Sequence, residues 1–338
     1  MKRWQIAALA AGVVAAVVSV TVPTAPASAS DDDPYTFAVI GDIPYGSTAI
    51  ATFPKAIAQI NADPAVQWVD HVGDIKNGST VCSDDYFQLI KSDFDQFQDP
   101  LVYTVGDNEW TDCHRANNGG YNPSERLAKI RQVFFPQPGR TLGQRSAPVQ
   151  SQAALGIPEN VRWHRANVGF AAADVVGSND SLAPWTGQTA PTPEQTVEVL
   201  SRTSATIQEM HDAFAEARHE HERAVVLLLQ ADMFDPTVPN PSFSDYYGFQ
   251  PIVAAIAREA ASYNGQVYLF NGDSHVFNVD DPLGAGSTWL SFYGISQPVP
   301  NLTRITVDGS SNANDYLRVT VNGRGPQVLS WTRVPFTP

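Results

Sequence analysis

The sequence predicts an α/β fold: a parallel sheet with helices between its strands, followed by short strands that belong to a second, mixed sheet. Three observations carry this. Between residues 35 and 135 strand-like and helix-like patterns alternate, the arrangement of a parallel sheet. Four strand-like runs end in Gly-Asp: Phe37 to Ile40 before Gly41-Asp42, Val66 to Val72 before Gly73-Asp74, Leu101 to Val105 before Gly106-Asp107, and Val267 to Asn271 before Gly272-Asp273. The last stretch holds three short runs, Ile305 to Val307, Tyr316 to Val321 and Val328 to Val334, separated by Gly and Asn turns. In a parallel sheet the carboxyl ends of the strands share one edge, where ligands bind. Four aspartates are expected to meet there.

In chain order, residues 1–29 have the pattern of an export signal. Lys2 and Arg3 precede an apolar run from Ile6 to Val22, and Ala27-Ser28-Ala29 offers a small-residue cleavage site before Asp31-Asp32-Asp33. The run approaches spanning length, but no later stretch is long and apolar enough to span. The expectation is a secreted protein whose residues 30–338 form one domain. Within it, Ala49 to Ile60 (Ile50, Phe53, Ile57, Ile60) and Tyr86 to Phe97 (Phe87, Ile90, Phe94, Phe97) place apolar residues at helical spacing, and Pro123 opens a third helix to Phe135. Residues 136–160, rich in Pro, Gln, Gly and Ser, read as a surface insertion. Val161 to Val176 reads as a hairpin turning near Asn167-Val168-Gly169. A long helix follows from Pro193 to His221; His211, His219 and His221 on it suit a solvated face near a helix C-terminus. Ala224 to Leu229 is the most apolar strand, ending at Gln230-Ala231-Asp232, and Pro251 to Ser262 is the last predicted helix.

Composition narrows the function. Removing Lys2 and Arg3 takes the formal charge from -14 to -16. That disfavours nucleic-acid binding through a basic surface and suits a small or neutral substrate. Cys82 and Cys113 are the two cysteines of the chain, one behind the Asp74 turn and one behind Asp107. In an oxidising compartment they are expected to pair, closing a loop worth roughly 3 to 4 kcal/mol in the chain-entropy model.

The densest chemistry lies after Tyr103-Thr104-Val105. Asp107, Asn108, Glu109, Asp112, His114 and Arg115 crowd into nine residues. His114 and Arg115 could touch a phosphate or assist a leaving group; capping or surface roles serve as well. His71, inside a strand, falls on the face opposite Asp74 by period-two counting and reads as core or support.

These blocks, in order, resemble the calcineurin-like metallophosphoesterases, whose pattern is D-x-H, then G-D, G-N-H-D/E, a strand-ending His, and G-H-x-H. Asp42 opens the first block, Asp74 the second, Gly106-Asp107-Asn108-Glu109 the third, Gln230 ends the strand of the fourth, and Gly272-Asp273-Ser274-His275 stands at the fifth. Here Pro44, Asp107, Asn108, Gln230 and Asp273 replace residues of the family pattern, four of them histidines. The related purple acid phosphatases use a Tyr three residues past the bridging Asp; that position is Asn77, though Tyr45 is near.

The resemblance implies a four-layer α/β/β/α sandwich of two mixed sheets flanked by helices. It also implies two divalent metal ions held by Asp42, Asp74, Asp107, Gln230, Asp273 and His275, with Asp74 bridging them and Asn108 on the phosphate. The donor set is mostly oxygen, which suits Mn, Mg, Ca or ferrous iron better than Zn. The implied activity is hydrolysis of a small-molecule phosphate ester. The alternative is a metal- or ligand-binding module that keeps the fold without catalysis.

Overall fold

The computed structural model describes residues 35–337, together with Met1. The expected export signal lies outside the described residues apart from Met1. Residues 35–337 belong to one compact unit.

The first sheet has β1 (Tyr35–Ile40), β2 (Val69–His71) and β3 (Leu101–Tyr103) joined through α1 (Gly46–Ala62) and α2 (Asp84–Phe94), with α3 (Pro123–Phe134) after it. These three strands are parallel, as the alternating pattern predicts. The second sheet is built from β4 (Gln150–Gln152), β5 (Ile157–Arg165), β6 (Val168–Ala172), then α4 (Pro193–His219), β7 (Ala224–Leu228), α5 (Gln250–Ala261), β8 (Gln266–Asn271), β9 (Asn278–Asp280), α6 (Thr288–Tyr293) and β10 (Leu302–Thr306). Finally β11 (Asp315–Val321) and β12 (Leu329–Pro335) return to the first sheet. The sheet orders are β12-β11-β1-β2-β3 and β4-β5-β6-β7-β8-β10-β9.

Both sheets are mixed: β11 is antiparallel to β1 and β12, while β6, β7, β8 and β10 run parallel beside antiparallel β4, β5 and β9.

Burial shows how the layers stack. Every residue of β1 is buried, yet its two faces enter different cores: Ala38 and Ile40 pack with Phe53, Ile57, Phe87 and Phe94 of α1 and α2, whereas Phe37 and Val39 pack with Phe170, Leu228 and Phe270 of the other sheet. In β7, likewise, Val225 and Leu227 meet Met210 and Phe214 of α4, while Val226 and Leu228 turn to the inter-sheet core. Strands buried on both faces read as continuous apolar runs, which is why Ala224 to Leu229 is so apolar. Three cores between four layers make the α/β/β/α sandwich.

Local chemistry sets several ends. Ser83 accepts from Tyr86 N at the start of α2, and Asn122 accepts from Glu125 N before Pro123 opens α3. Thr192 and Gln195 form a reciprocal capping box at the start of α4.

Three expectations need correction. Residues 136–160 are not wholly irregular: β4 and the start of β5 lie there, because Gln152 and Asn160 find buried partners in each other and in Ala205 and Thr206 of α4. The β5–β6 hairpin turns at Ala166-Asn167, both left-handed (φ 52 and 59), one residue before the expected place. The strand expected over Val66 to Val72 is regular only from Val69 to His71.

Candidate metal centre

The carboxyl ends of β1, β2, β3, β7 and β8 bring Asp42, Asp74, Asp107, Gln230, Asp273 and His275 to one edge of the sandwich. Asp42, Asp74 and His275 can each offer one ligand atom with all three atoms within 4.8 Å of one another, and so can Asp74, Asp107 and Asp273. Asp74 is common to both groups. Three of the turns are left-handed at the aspartate itself (φ 52 at Asp42, 58 at Asp74, 72 at Asp273), and His275 is too at 63. Asp is among the few residues that visit this region routinely, and such turns aim side chains back over the strand ends. Close approach also selects glycine beside them: a Cβ on Gly272 would collide with Asp42 Oδ2, and one on Gly177 would lie 2.6 Å from Asp107 Oδ2.

Each carboxylate is held by donors. Asp42 accepts from Asp273 N at 3.1 Å and pairs with His275 Nε2 at 3.1 Å. Asp74 Oδ2 accepts from Tyr45 Oη at 2.8 Å and Asn108 Nδ2 at 2.6 Å, while Oδ1 accepts from Asn108 N at 3.2 Å. Asp107 Oδ2 accepts from Ser178 Oγ at 2.9 Å. Asp273 Oδ2 accepts from Asp232 N at 3.1 Å. Below them, Glu109 Oε1 gathers Gly106 N (2.6 Å), Tyr103 Oη (2.7 Å) and Asp74 N (3.2 Å), so one carboxylate fixes the ends of β2 and β3 together. Lys76 is buried and donates to the Asn108 carbonyl at 2.6 Å.

Electrostatics record the crowding. Burial, then the charges of Asp107, Glu109, Asp42 and Asp273, push the Asp74 carboxyl well above its ordinary range. Burial, Asp107 and Asp42 do the same to Asp273. Asp42 is raised by burial against the opposing His275. Burial works to lower His275, but its hydrogen bond and charge pairing with Asp42 prevail and its pKa is raised. Glu109 and Asp112 are each pushed up to about 7, mainly by burial.

These residues fit divalent cations. Ligand oxygens of one cation at about 2.0–2.4 Å from it lie up to roughly 4.8 Å apart, the spacing found in both groups. Two positive ions would also relieve the repulsion that raises these carboxyls.

Two of the expected residues have partners that the sequence did not show. Gln230 stands at the site, but its Oε1 accepts from Gly177 N at 2.6 Å and its Nε2 faces Asp107 Oδ1 at 3.4 Å. Its oxygen thus has a backbone partner, and its amide nitrogen a carboxylate one. His114 Nδ1 accepts from Thr186 N at 2.9 Å and its ring stacks on Trp185.

Arg115 pairs with Asp112 at 2.6 Å. It remains close to Asn108, since a Cβ built on Gly78 would lie 3.1 Å from Asn108 Oδ1 and 3.9 Å from Arg115 Nη1. Cys82 and Cys113 are buried and joined in a disulfide, tying the Asp74 and Asp107 loops together. His71 is buried behind the site, with Nε2 on Ile43 O at 2.9 Å.

Tyr45, Lys76, Ser178 and Asp232 entered no ligand or catalytic set read from the sequence. Tyr45 and Lys76 lie within three residues of Asp42 and Asp74, so proximity in sequence was a usable signal. Ser178 carried none, sitting in an irregular stretch 71 residues from Asp107.

No protein-family model and no curated protein matches the sequence. Among the solved structures that are similar, three examples each cover 90% of this chain. They are GAP50, the anchor in the inner membrane complex of Plasmodium (9% identity, 90% of that chain, TM-score 0.40), the NAD nucleotidase of Haemophilus influenzae (10%, 56%, 0.43), and a purple acid phosphatase from yellow lupin, Lupinus luteus, seeds (10%, 54%, 0.42). The likeness is one of fold. The nucleotidase and the phosphatase have the calcineurin-like metallophosphoesterase fold, and this chain spans about half the length of each. Among the described residues no helix is long and apolar enough to cross a membrane.

Proposed function

We propose that this protein is an exported, metal-dependent phosphoesterase. The observation that carries the proposal is the convergence of Asp42, Asp74, Asp107, Asp273 and His275 into two ligand groups that share Asp74. The order of these residues along the chain, which resembles the calcineurin-like pattern, gives the reaction class. Asp42, Asp74 and His275 would hold one cation, and Asp74, Asp107 and Asp273 the other. Bound there, the cations supply an activated water and neutralise charge on the phosphoryl group.

The rest falls to the chain's own residues. Tyr45 and Asn108 orient Asp74 through its Oδ2, and Gln230 and Ser178 orient Asp107. In this reading the Asn108 amide, which in the structure donates to Asp74 Oδ2 and Tyr45 Oη, turns one N–H to a phosphate oxygen when substrate binds. As a neutral amide it cannot give a proton to a departing alkoxide, so the substrates favoured are esters with good leaving groups. His114 is held by Thr186.

A second reading has its own observation. Both oxygens of Asp74 already accept hydrogen bonds, an arrangement suited to a module that binds a single cation without turnover. Hydrolysis of an aryl phosphate with added Mn²⁺, abolished by chelation and restored by Mn²⁺, supports the esterase. Cation binding with no hydrolysis of any phosphate mono- or diester supports the module and refutes the esterase.

A further inference from the structure

Between β6 and α4 the backbone does something the sequence pattern does not announce. Ser178, Asn179, Asp180 and Ser181 have φ of 51, 60, 52 and 69, one turn of left-handed helix made without glycine. L-residues enter this region singly, because the Cβ crowds the following carbonyl oxygen. Four in succession persist only where the surroundings over-determine them.

Those surroundings are visible. Arg202, 1% exposed, donates from Nη1 to Asp180 Oδ1 at 2.5 Å and from Nη2 to Asp180 O at 3.0 Å. Thr203 Oγ1 donates to Asp180 Oδ2 at 3.2 Å, and Gln195 Nε2 to Ser181 O at 2.9 Å. The hydroxyls of Thr111 and Ser181 meet at 2.8 Å, and Gly248 N donates to Asn179 Oδ1 at 2.8 Å. α4 and its neighbours thus clamp the turn.

The turn delivers Ser178 Oγ to 2.9 Å from Asp107 Oδ2 and 2.9 Å from Asp112 Oδ1, and Gly177 N to Gln230 Oε1. A loop that merely connected β6 to α4 would need none of this.

We propose that Ser178 is a positioning residue of the metal centre, fixing the Asp107 carboxylate through a left-handed turn that Arg202 pins. The proposal rests on the reading that these carboxylates bind divalent cations. Its physical content is preorganisation: partners that orient a ligand carboxylate typically govern 10- to 100-fold of metal affinity.

The test is calorimetric titration of Mn²⁺ into the chelator-stripped protein, with thermal unfolding of each metal-free variant. Ser178→Ala and Ser178→Gly both remove the hydroxyl, while glycine also suits the left-handed backbone and secures a folded variant. Both should weaken Mn²⁺ binding about 10- to 100-fold, with Ser178→Gly melting above Ser178→Ala. Thr111→Val removes a single bond at the Ser181 end of the turn and leaves both the Arg202 clamp on Asp180 and the Ser178 hydroxyl in place; it should lower the melting temperature and leave Mn²⁺ affinity within about twofold of wild type. Wild-type affinity in both Ser178 variants, or an equal loss in Thr111→Val, would overturn the positioning role while leaving the metal centre standing. A wild type that binds no Mn²⁺ would overturn both.

Discussion

Replacing Asp273 with Asn should stabilise the metal-free protein and cripple its response to metal. Ligand atoms of Asp273, Asp74 and Asp107 can lie within 4.8 Å of one another. At an effective dielectric of 20 each ionised pair at that distance repels by about 3.5 kcal/mol. Part of this is already relieved by proton uptake, since Asp273 is raised by burial and by Asp107 and Asp42. Its amide oxygen can still accept from Asp232 N. A net gain of about 1–3 kcal/mol at neutral pH is expected. With an unfolding entropy of about 0.65 kcal/mol/K for a chain of this length, the melting temperature should rise by roughly 2–5 °C. Mn²⁺ at 100 times its Kd adds about 2.7 kcal/mol to the wild type, or roughly 4 °C; in Asp273→Asn that increment should fall by more than half. The assay is thermal unfolding of both proteins after chelation and again with Mn²⁺. A variant less stable than wild type when metal-free, or one with the full Mn²⁺ increment, would refute the idea that repelling carboxylates form a cation site.

Three further outcomes follow from other parts of the molecule. Removing the disulfide as Cys82→Ala with Cys113→Ala should cost about 4 kcal/mol by the loop-entropy relation for a separation of 31 residues, read as a drop of roughly 6 °C in melting temperature; intact mass after alkylation should detect no free thiol in the native protein. His164 lies between Glu222 (2.7 Å) and Glu216 (2.9 Å), whose hydrogen bonds and charge raise it to about 9 against the cost of burial. A raised histidine contributes fully below its unfolded pKa near 6.5, so this stability should fade as pH rises through about 9, and His164→Gln should flatten the stability curve over that window by about 1–2 kcal/mol after solvent screening. Because Asn108 cannot act as a general acid, kcat/KM should fall steeply as leaving-group pKa rises; Asn108→His should recover part of a loss of about 10²- to 10⁴-fold on alkyl phosphates. A flat dependence in the wild type would place another acid at the site.

The sequence was most informative where one residue type serves one purpose. Gly-Asp after a buried strand marked four strand ends, and the structure brings all four aspartates to one edge because parallel strands place their carboxyl ends together. The cysteines were legible for a similar reason: two thiols, each just past a ligand turn, and one bridge.

Legibility failed where the partner was distant or the pattern had no period. Gln230 could be placed by strand order, but only the fold shows that Gly177 N occupies its oxygen. The turn at 178–181 has no signature, since neither Ser nor Asn nor Asp in a loop foretells four left-handed residues; that conformation is imposed by Arg202 and its neighbours on α4. β9 and α6 escaped notice because three and six residues are too few to establish a period.

The most direct test of the metal centre is the metal content of the purified chain after Mn²⁺ loading and gel filtration, measured by elemental mass spectrometry alongside Asp74→Asn. Asp74 is shared by both ligand groups, so the account predicts close to two ions per wild-type chain and a marked loss in the variant. A wild type that emerges without metal, or an Asp74→Asn protein with the wild-type content, would contradict it.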